Sequence, residues 1–162
     1  MAVRMEIVGA KGFENGTQVL MLREIGGTRF IAIQMRIPDL ASVVAARSRL
    51  MGPRPSAHIA WAATIRSARI TLDRLIIHGL GGDDAALCLL CFRQAERAWT
   101  VDCRPGDGIA LALRLGAPIE CEEPILQLLT LETDKLKQQE RQADEESWRR
   151  YFESIDSRMP KQ

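Results

Sequence analysis

Between Trp99 and Cys121 the spacing of hydrophobic positions changes period, and the change predicts a strand that runs into a helix. Trp99, Val101 and Cys103 alternate with Thr100 and Asp102, the two-residue repeat of a half-buried strand. Pro105 ends it: lacking an amide hydrogen and with φ fixed near the helical value, it suits the first helical position. Asp107 then falls in the first turn, at the positive end of the helix dipole. From Ile109 to Leu115 only Arg114 is charged, so this helix is expected to be buried around most of its circumference. Arg114 suits the last turn, Gly116 supplies a stop and Pro118 blocks continuation, giving a helix of about 11 residues.

The rest of the chain reads in the same way. Val3, Met5 and Ile7 alternate with Arg4 and Glu6 in a first strand from Val3 to Phe13. Asn15-Gly16 turns it back, Val19 to Arg23 pairs with it, Gly26-Gly27 turns again, and Arg29 to Met35 completes a three-stranded meander. Ile37-Pro38-Asp39 opens a helix whose apolar face is expected from Leu40, Ala41, Val44, Ala45 and Leu50. Gly52-Pro53-Arg54-Pro55 breaks the chain. Ser56 is expected to cap a helix from Ala57 to about Ala68, with Trp61, Ala62 and Ile65 turned inward. Ile70 to His78 forms a fourth strand, and Ala85 to Arg93 with Ala98 to Cys103 a second hairpin. The glycine-rich turn between them, Gly79 to Asp84, lacks the lysine and hydroxyl of a P-loop, and Asp83 and Asp84 read as turn residues.

These elements predict an α/β (α+β) fold: a mixed, mostly antiparallel curved sheet with packed helices, over residues 1–128. Residues 129–162 are expected to form a charged helical tail. From Glu132 to Gln162 there are 7 Lys and Arg, 8 Asp and Glu, and no glycine. Trp148, Tyr151, Phe152 and Ile155 lie there at helical spacing, and such a stripe needs a partner surface, either on its own domain or on a neighbouring subunit. A homo-oligomer, joined through this C-terminal helix, is the expectation that follows.

Composition adds limits. Of 162 residues, 46% are hydrophobic and 27% charged, which supports a real core and excludes general disorder. No run approaches the roughly 18 apolar residues of a membrane span, and Met1 to Gly16 lacks the apolar stretch and cleavage site of a signal peptide. A cytoplasmic protein without membrane contact is expected. The net charge is only +1, but residues 1–74 hold 11 Lys and Arg against 5 Asp and Glu, and residues 75–131 hold 4 against 8. Such a basic half either faces phosphates or is ordinary arginine-rich surface. Cys88 and Cys91 have CxxC spacing inside an apolar strand, where residues three apart point to opposite faces, so they read as buried thiols rather than a zinc pair.

The candidate chemistry gathers where the last strand meets its helix. Asp102, Arg104 and Asp107 crowd amides that have no helical partner, so Arg104 is either a strut paired to a neighbouring acid or a ligand for phosphate. Here the sequence resembles a known family. Asp102-Cys-Arg104-Pro105-Gly-Asp107-Gly-Ile109-Ala-Leu-Ala-Leu-Arg114-Leu-Gly116-Ala-Pro118-Ile is similar to the signature of the bifunctional nuclease domain, D-x-R-P-S-D-A-I-A-L-A-L-R-x-G-A-P-I, with Gly106 and Gly108 at the small positions. Ile7-Val8-Gly9 and Val19-Leu-Met-Leu-Arg-Glu24 resemble the family's opening strands. Arg54-Pro55-Ser56-Ala57-His58-Ile59 resembles its R-P-x-T-H-D, retaining His58 but with Ala57 and Ile59 in place of threonine and aspartate.

The resemblance implies a nuclease that hydrolyses RNA and DNA with little sequence preference. His58, Asp102, Arg104 and Asp107 are then the candidate catalytic residues: Arg104 for the phosphate, Asp102 or Asp107 for metal or water, His58 for the proton. Asp39 and Asp107 are the candidate ligands for a divalent metal such as Mg or Mn, and Asp39 reads equally as a helix-end charge. The alternative is a non-catalytic binding or regulatory module on the same fold, which the losses at Ala57 and Ile59 favour.

Overall fold

The computed structural model describes residues 1–12 and 16–140, with the backbone alone at residue 132 and at residues 135–140. Asn15 and the stripe from Trp148 to Ile155 lie outside the described residues. Seven strands form one sheet: β1 (Ala2–Gly12), β2 (Gln18–Glu24), β3 (Phe30–Met35), β4 (Thr71–Leu80), β5 (Ala86–Gln94), β6 (Arg97–Cys103) and β7 (Ile119–Glu122). Four helices accompany it: α1 (Ile37–Arg47), α2 (Ala57–Ser67), α3 (Pro105–Leu115) and α4 (Glu123–Glu140). The strand order is β3-β2-β1-β7-β4-β5-β6, and all pairs are antiparallel except β4 with β7. The sheet is therefore mixed and mostly antiparallel, as expected.

The joint of the sheet was not foreseen. β7 lies between β1 and β4, pairing Val3 with Cys121 on one side and Ile77 with Cys121 on the other. It thereby fuses the meander β1–β3 to the meander β4–β6. Its four residues, Ile119-Glu-Cys-Glu122, do alternate, with Ile119 and Cys121 buried. The run is too short to stand out beside the helix stop at Gly116. Gly116 itself has φ +72, the left-handed conformation expected of a glycine stop. The α3 helix spans Pro105 to Leu115 as read, and Ile109, Ala110, Leu111 and Ala112 are each wholly buried, so it is a core element on every side.

Three readings are corrected. The β6 strand is not half-buried: Trp99 and Val101 are 36% and 38% exposed, because β6 is the last strand and has a single neighbour. In α1 the buried residues are Val43 and Ala46, while Val44 and Leu50 are exposed. In α2, Ala62 and Ile65 are buried but Trp61 is 37% exposed, and Ser56 stands at the N-cap without a side-chain cap bond. The inward stripes, Asp39-Val43-Ala46 and His58-Ala62-Ile65, follow the i, i+4, i+7 spacing of a helix face but begin on a polar residue. In α1 a search for apolar repeats therefore starts in the wrong phase; in α2 it finds Ala62 and Ile65 and errs only at Trp61.

Those polar starts touch α3. A Cβ built on Gly106 comes 2.5 Å from Cβ and 3.2 Å from Cα of Asp39, so α1 and α3 meet at their first turns with room for hydrogen only. The other end of the chain is fastened by Arg29. It donates to both carboxylate oxygens of Glu24 at 2.8 Å and also to Glu123, tying the β2–β3 turn to the start of α4. These bonds hold both glutamates below the ordinary carboxyl value. Further along α4, Leu126 and Leu129 are buried and Thr133 Oγ1 accepts the Ala32 N–H of β3 at 2.9 Å. No helix among the described residues is long and apolar enough to cross a membrane.

All four cysteines are free. Cys88 is buried and Cys91 half-buried, on opposite faces of β5. Burial pushes the thiols of Cys103 and Cys121 up to about 12, which keeps them protonated and inert near neutrality.

Two stability measurements follow. Gly106→Ala adds helix propensity but forces backbone apart at the α1–α3 contact; a net loss of about 1–2 kcal/mol is expected, a drop of roughly 2–8 °C in Tm. An unchanged or raised Tm would contradict the close approach. Arg29→Met should lower Tm at pH 7. Because the folded glutamates titrate below their ordinary value of 4.5, that stabilisation is complete above it and is lost as pH falls through the depressed values. The gap between parent and variant must therefore close in acid; a gap independent of pH would show that packing, not charge, carries the effect.

Candidate functional site

Helices α1, α2 and α3 bring their N-termini together. α1 and α3 touch through Asp39 and Gly106, and α2 reaches α3 through His58, whose Nε2 lies 3.0 Å from Asp107 Oδ1. Three positive dipole ends thus point at one place, each with first-turn amides that need partners. In none of the three does the N-cap side chain cap them.

Two of the N-cap residues are arginines, Arg36 on α1 and Arg104 on α3. An arginine cannot accept a hydrogen bond from an amide, and its charge opposes the dipole. Each is offset by an aspartate three residues on. Arg36 grips Asp39 with Nε to Oδ2 at 2.9 Å and Nη2 to Oδ1 at 3.1 Å. Arg104 Nε lies 3.3 Å from Asp107 Oδ2. The sequence writes the same word twice, Arg36-Ile-Pro-Asp39 and Arg104-Pro-Gly-Asp107, and both times proline takes the first turn. Arg36 holds the Asp39 carboxyl below the usual range, and Arg104 adds to the effect from across the helix contact. Arg36 was missed by the sequence reading; the repeated R-x-x-D with proline inside was the available signal.

His58, Arg104, Asp107 and Asp39 are thus brought together, with Arg36 as a fifth member. The aspartate and histidine side chains are largely or partly covered, Asp39 at 13%, His58 at 16% and Asp107 at 30% exposed. The arginines face out, Arg36 at 62% and Arg104 at 63%. Asp102 stands apart. It is exposed on β6 opposite Leu89, and among the described residues no ion pair joins it to Arg104. Arg104 is paired to Asp107, the strut reading, yet most of its guanidinium remains in solvent. Ala57 is exposed and Ile59 half-buried on α2, where the resemblance expects a threonine and an acid.

A carboxylate ligand for a divalent ion needs free oxygens. All four oxygens of Asp39 and Asp107 are turned to arginine or histidine nitrogens. Among the described residues no three His, Cys, Asp or Glu side chains converge as a metal site does. As placed, these residues do not fit a resident magnesium or manganese ion. They fit an anion, offered two outward guanidiniums and helix amides.

Comparison with known proteins bears on residues around this cluster. Two uncharacterized proteins of Mycobacterium tuberculosis, one from strain CDC 1551 / Oshkosh and one from strain ATCC 25618 / H37Rv, are each 31% identical over 108 residues. The match covers 67% of this chain and 63% of each relative, so the chain spans under two thirds of their length. A family model described as the bifunctional nuclease domain matches residues 20–134, a range that takes in Arg36, Asp39, His58, Arg104 and Asp107. With that match over most of its length, the chain belongs to the bifunctional nuclease domain family.

Proposed function

We propose that this protein hydrolyses phosphodiester bonds of RNA and DNA, with the backbone phosphate bound at the meeting of α1, α2 and α3. The observation that carries the reading is the placement of Arg36 and Arg104 at the N-caps of two touching helices, where their largely exposed guanidiniums stand beside helix amides that no N-cap side chain caps. The His58–Asp107 contact beside them supplies a proton acceptor. Asp107 orients the ring through Nε2, leaving Nδ1 to take a proton from water.

The step balances simply. Water oxygen bonds to phosphorus, its proton goes to His58, and one diester P–O bond breaks, its oxygen taking a proton from solvent. Water rather than a ribose hydroxyl must be the nucleophile if DNA is cut as well as RNA. Arg104 and Arg36 stabilise the charge that builds on the phosphoryl oxygens. The phosphate contact is indifferent to base identity, which accords with little sequence preference. Ile59, in place of the family's usual acid, favours the second reading, a binding module that holds polynucleotide without cutting it.

Degradation of single-stranded RNA and DNA by intact protein, with chelator and with added magnesium or manganese, separates these readings. Cleavage that persists in chelator is expected. His58→Ala should cost about 10²–10⁴-fold in rate, and Arg104→Ala about 10–100-fold, the worth of one charged hydrogen bond. Binding without cleavage under every condition would establish the module reading. Full activity in folded Arg104→Ala and His58→Ala would remove the cluster from the reaction.

A further inference from the structure

The sheet has two edges, and they are finished differently. At the β3 edge, Thr133 of α4 accepts the Ala32 N–H, so a helix takes up a main-chain donor that the last strand would otherwise offer. At the other edge, β6 pairs with β5 alone among the described residues, from Arg97 through Cys103 without a bulge. It contains no proline, and its middle residues Ala98, Trp99, Thr100 and Val101 carry no charge. Trp99 and Val101 are 36% and 38% exposed, and Trp99 is held in place by stacking on Phe92 with ring centres 5.8 Å apart. Proline, bulges, central charges and covering elements are the usual protections of a sheet edge, and β6 has none of them among the described residues. The open row of N–H and C=O groups is matched by one kind of partner, an extended strand.

We propose that the β6 edge joins two copies of this chain, strand to strand and antiparallel, about a two-fold axis at Thr100. The charges select a second copy. Pairing centred on Thr100 sets Trp99 against Val101 of the second copy and, just beyond the two ends of the strand, brings Arg104 toward its Glu96. Parallel pairing would instead set Arg97 by Arg97 and Asp102 by Asp102. The axis is perpendicular to the sheet, so both three-helix clusters lie on the same side of one continuous sheet. Eight strand residues separate the two Arg104 positions, roughly 27 Å. Two strands of this length bury less than the standard interface of about 1,600 Å², so association should be concentration dependent. This interface stands without the nuclease reading.

Sedimentation of the full chain across the micromolar range tests it. The mass is expected to rise from 18.1 kDa toward twice that value, and Val101→Lys, a charge on an exposed side chain, should keep the protein monomeric with unchanged circular dichroism. In the dimer Thr100→Cys lies beside its own copy, within the roughly 4.4–6.8 Å Cα range that a disulfide spans, and oxidation should cross-link it. Hydrogen exchange gives a reading independent of any variant: the outward β6 amides should become protected as concentration rises. A monomer at every concentration, a dimer indifferent to Val101→Lys with no cross-link at Thr100→Cys, or β6 amides protected equally at all concentrations would each overturn the proposal. The last result would mean that another part of the same chain covers the edge.

Discussion

One carboxylate holds three helix starts together. Asp107 of α3 turns one oxygen to His58 of α2 and the other to Arg104 at its own N-cap, while Gly106 beside it lets Asp39 of α1 approach to van der Waals contact. Dipoles converging in this way repel one another, and each brings amides that must be satisfied. The protein answers with two aspartates, each gripped by an arginine whose guanidinium stays mostly in solvent.

The sheet exists to make that convergence rigid. α3 leaves β6, crosses the core with four successive buried residues, and returns through β7 to the middle of the sheet. Because β7 is bonded to β1 and to β4, any movement of α3 strains both meanders. The register of β4 shifts between Leu72 and Arg74 and between Ile77 and Gly79, and a Cβ on Gly108 would come 2.6 Å from Cys103 Sγ of β6 and 2.7 Å from Leu75 between those shifts. Gly106 and Gly108 depart from the family's usual Ser and Ala. Here each is the absence of a side chain at a contact, one against α1 and one against β6 and β4.

Much of this was legible in the sequence where a residue has a local cause. The limits of α3 follow from Pro105 and Gly116, whose backbone angles are nearly fixed by their own chemistry, and the meanders follow from alternation. What failed was long-range. β6 shows the alternation of a half-buried strand, but its exposure is set by its place in the sheet. β7 is defined by its neighbours rather than by its four residues. The inward stripes of α1 and α2 start on Asp39 and His58, and a hydrophobic pattern cannot count a polar residue as buried until its partner is known. Of the cluster, Asp39, His58, Arg104 and Asp107 were candidates from the sequence, and Asp102 lies outside it. Arg36 was not among the candidates, although the same R-x-x-D word stands at both helices.

The central claim is that phosphate binds where these three helices meet. It is tested most directly by following backbone amide resonances while a short single-stranded oligonucleotide with a cleavage-resistant phosphorothioate backbone is added. The account predicts saturable shifts concentrated in residues 37–39, 57–59 and 105–107, lost when Arg36 and Arg104 are both replaced by alanine in a protein that remains folded. Shifts centred on another surface, or a pattern unchanged by removing the two arginines, would contradict it.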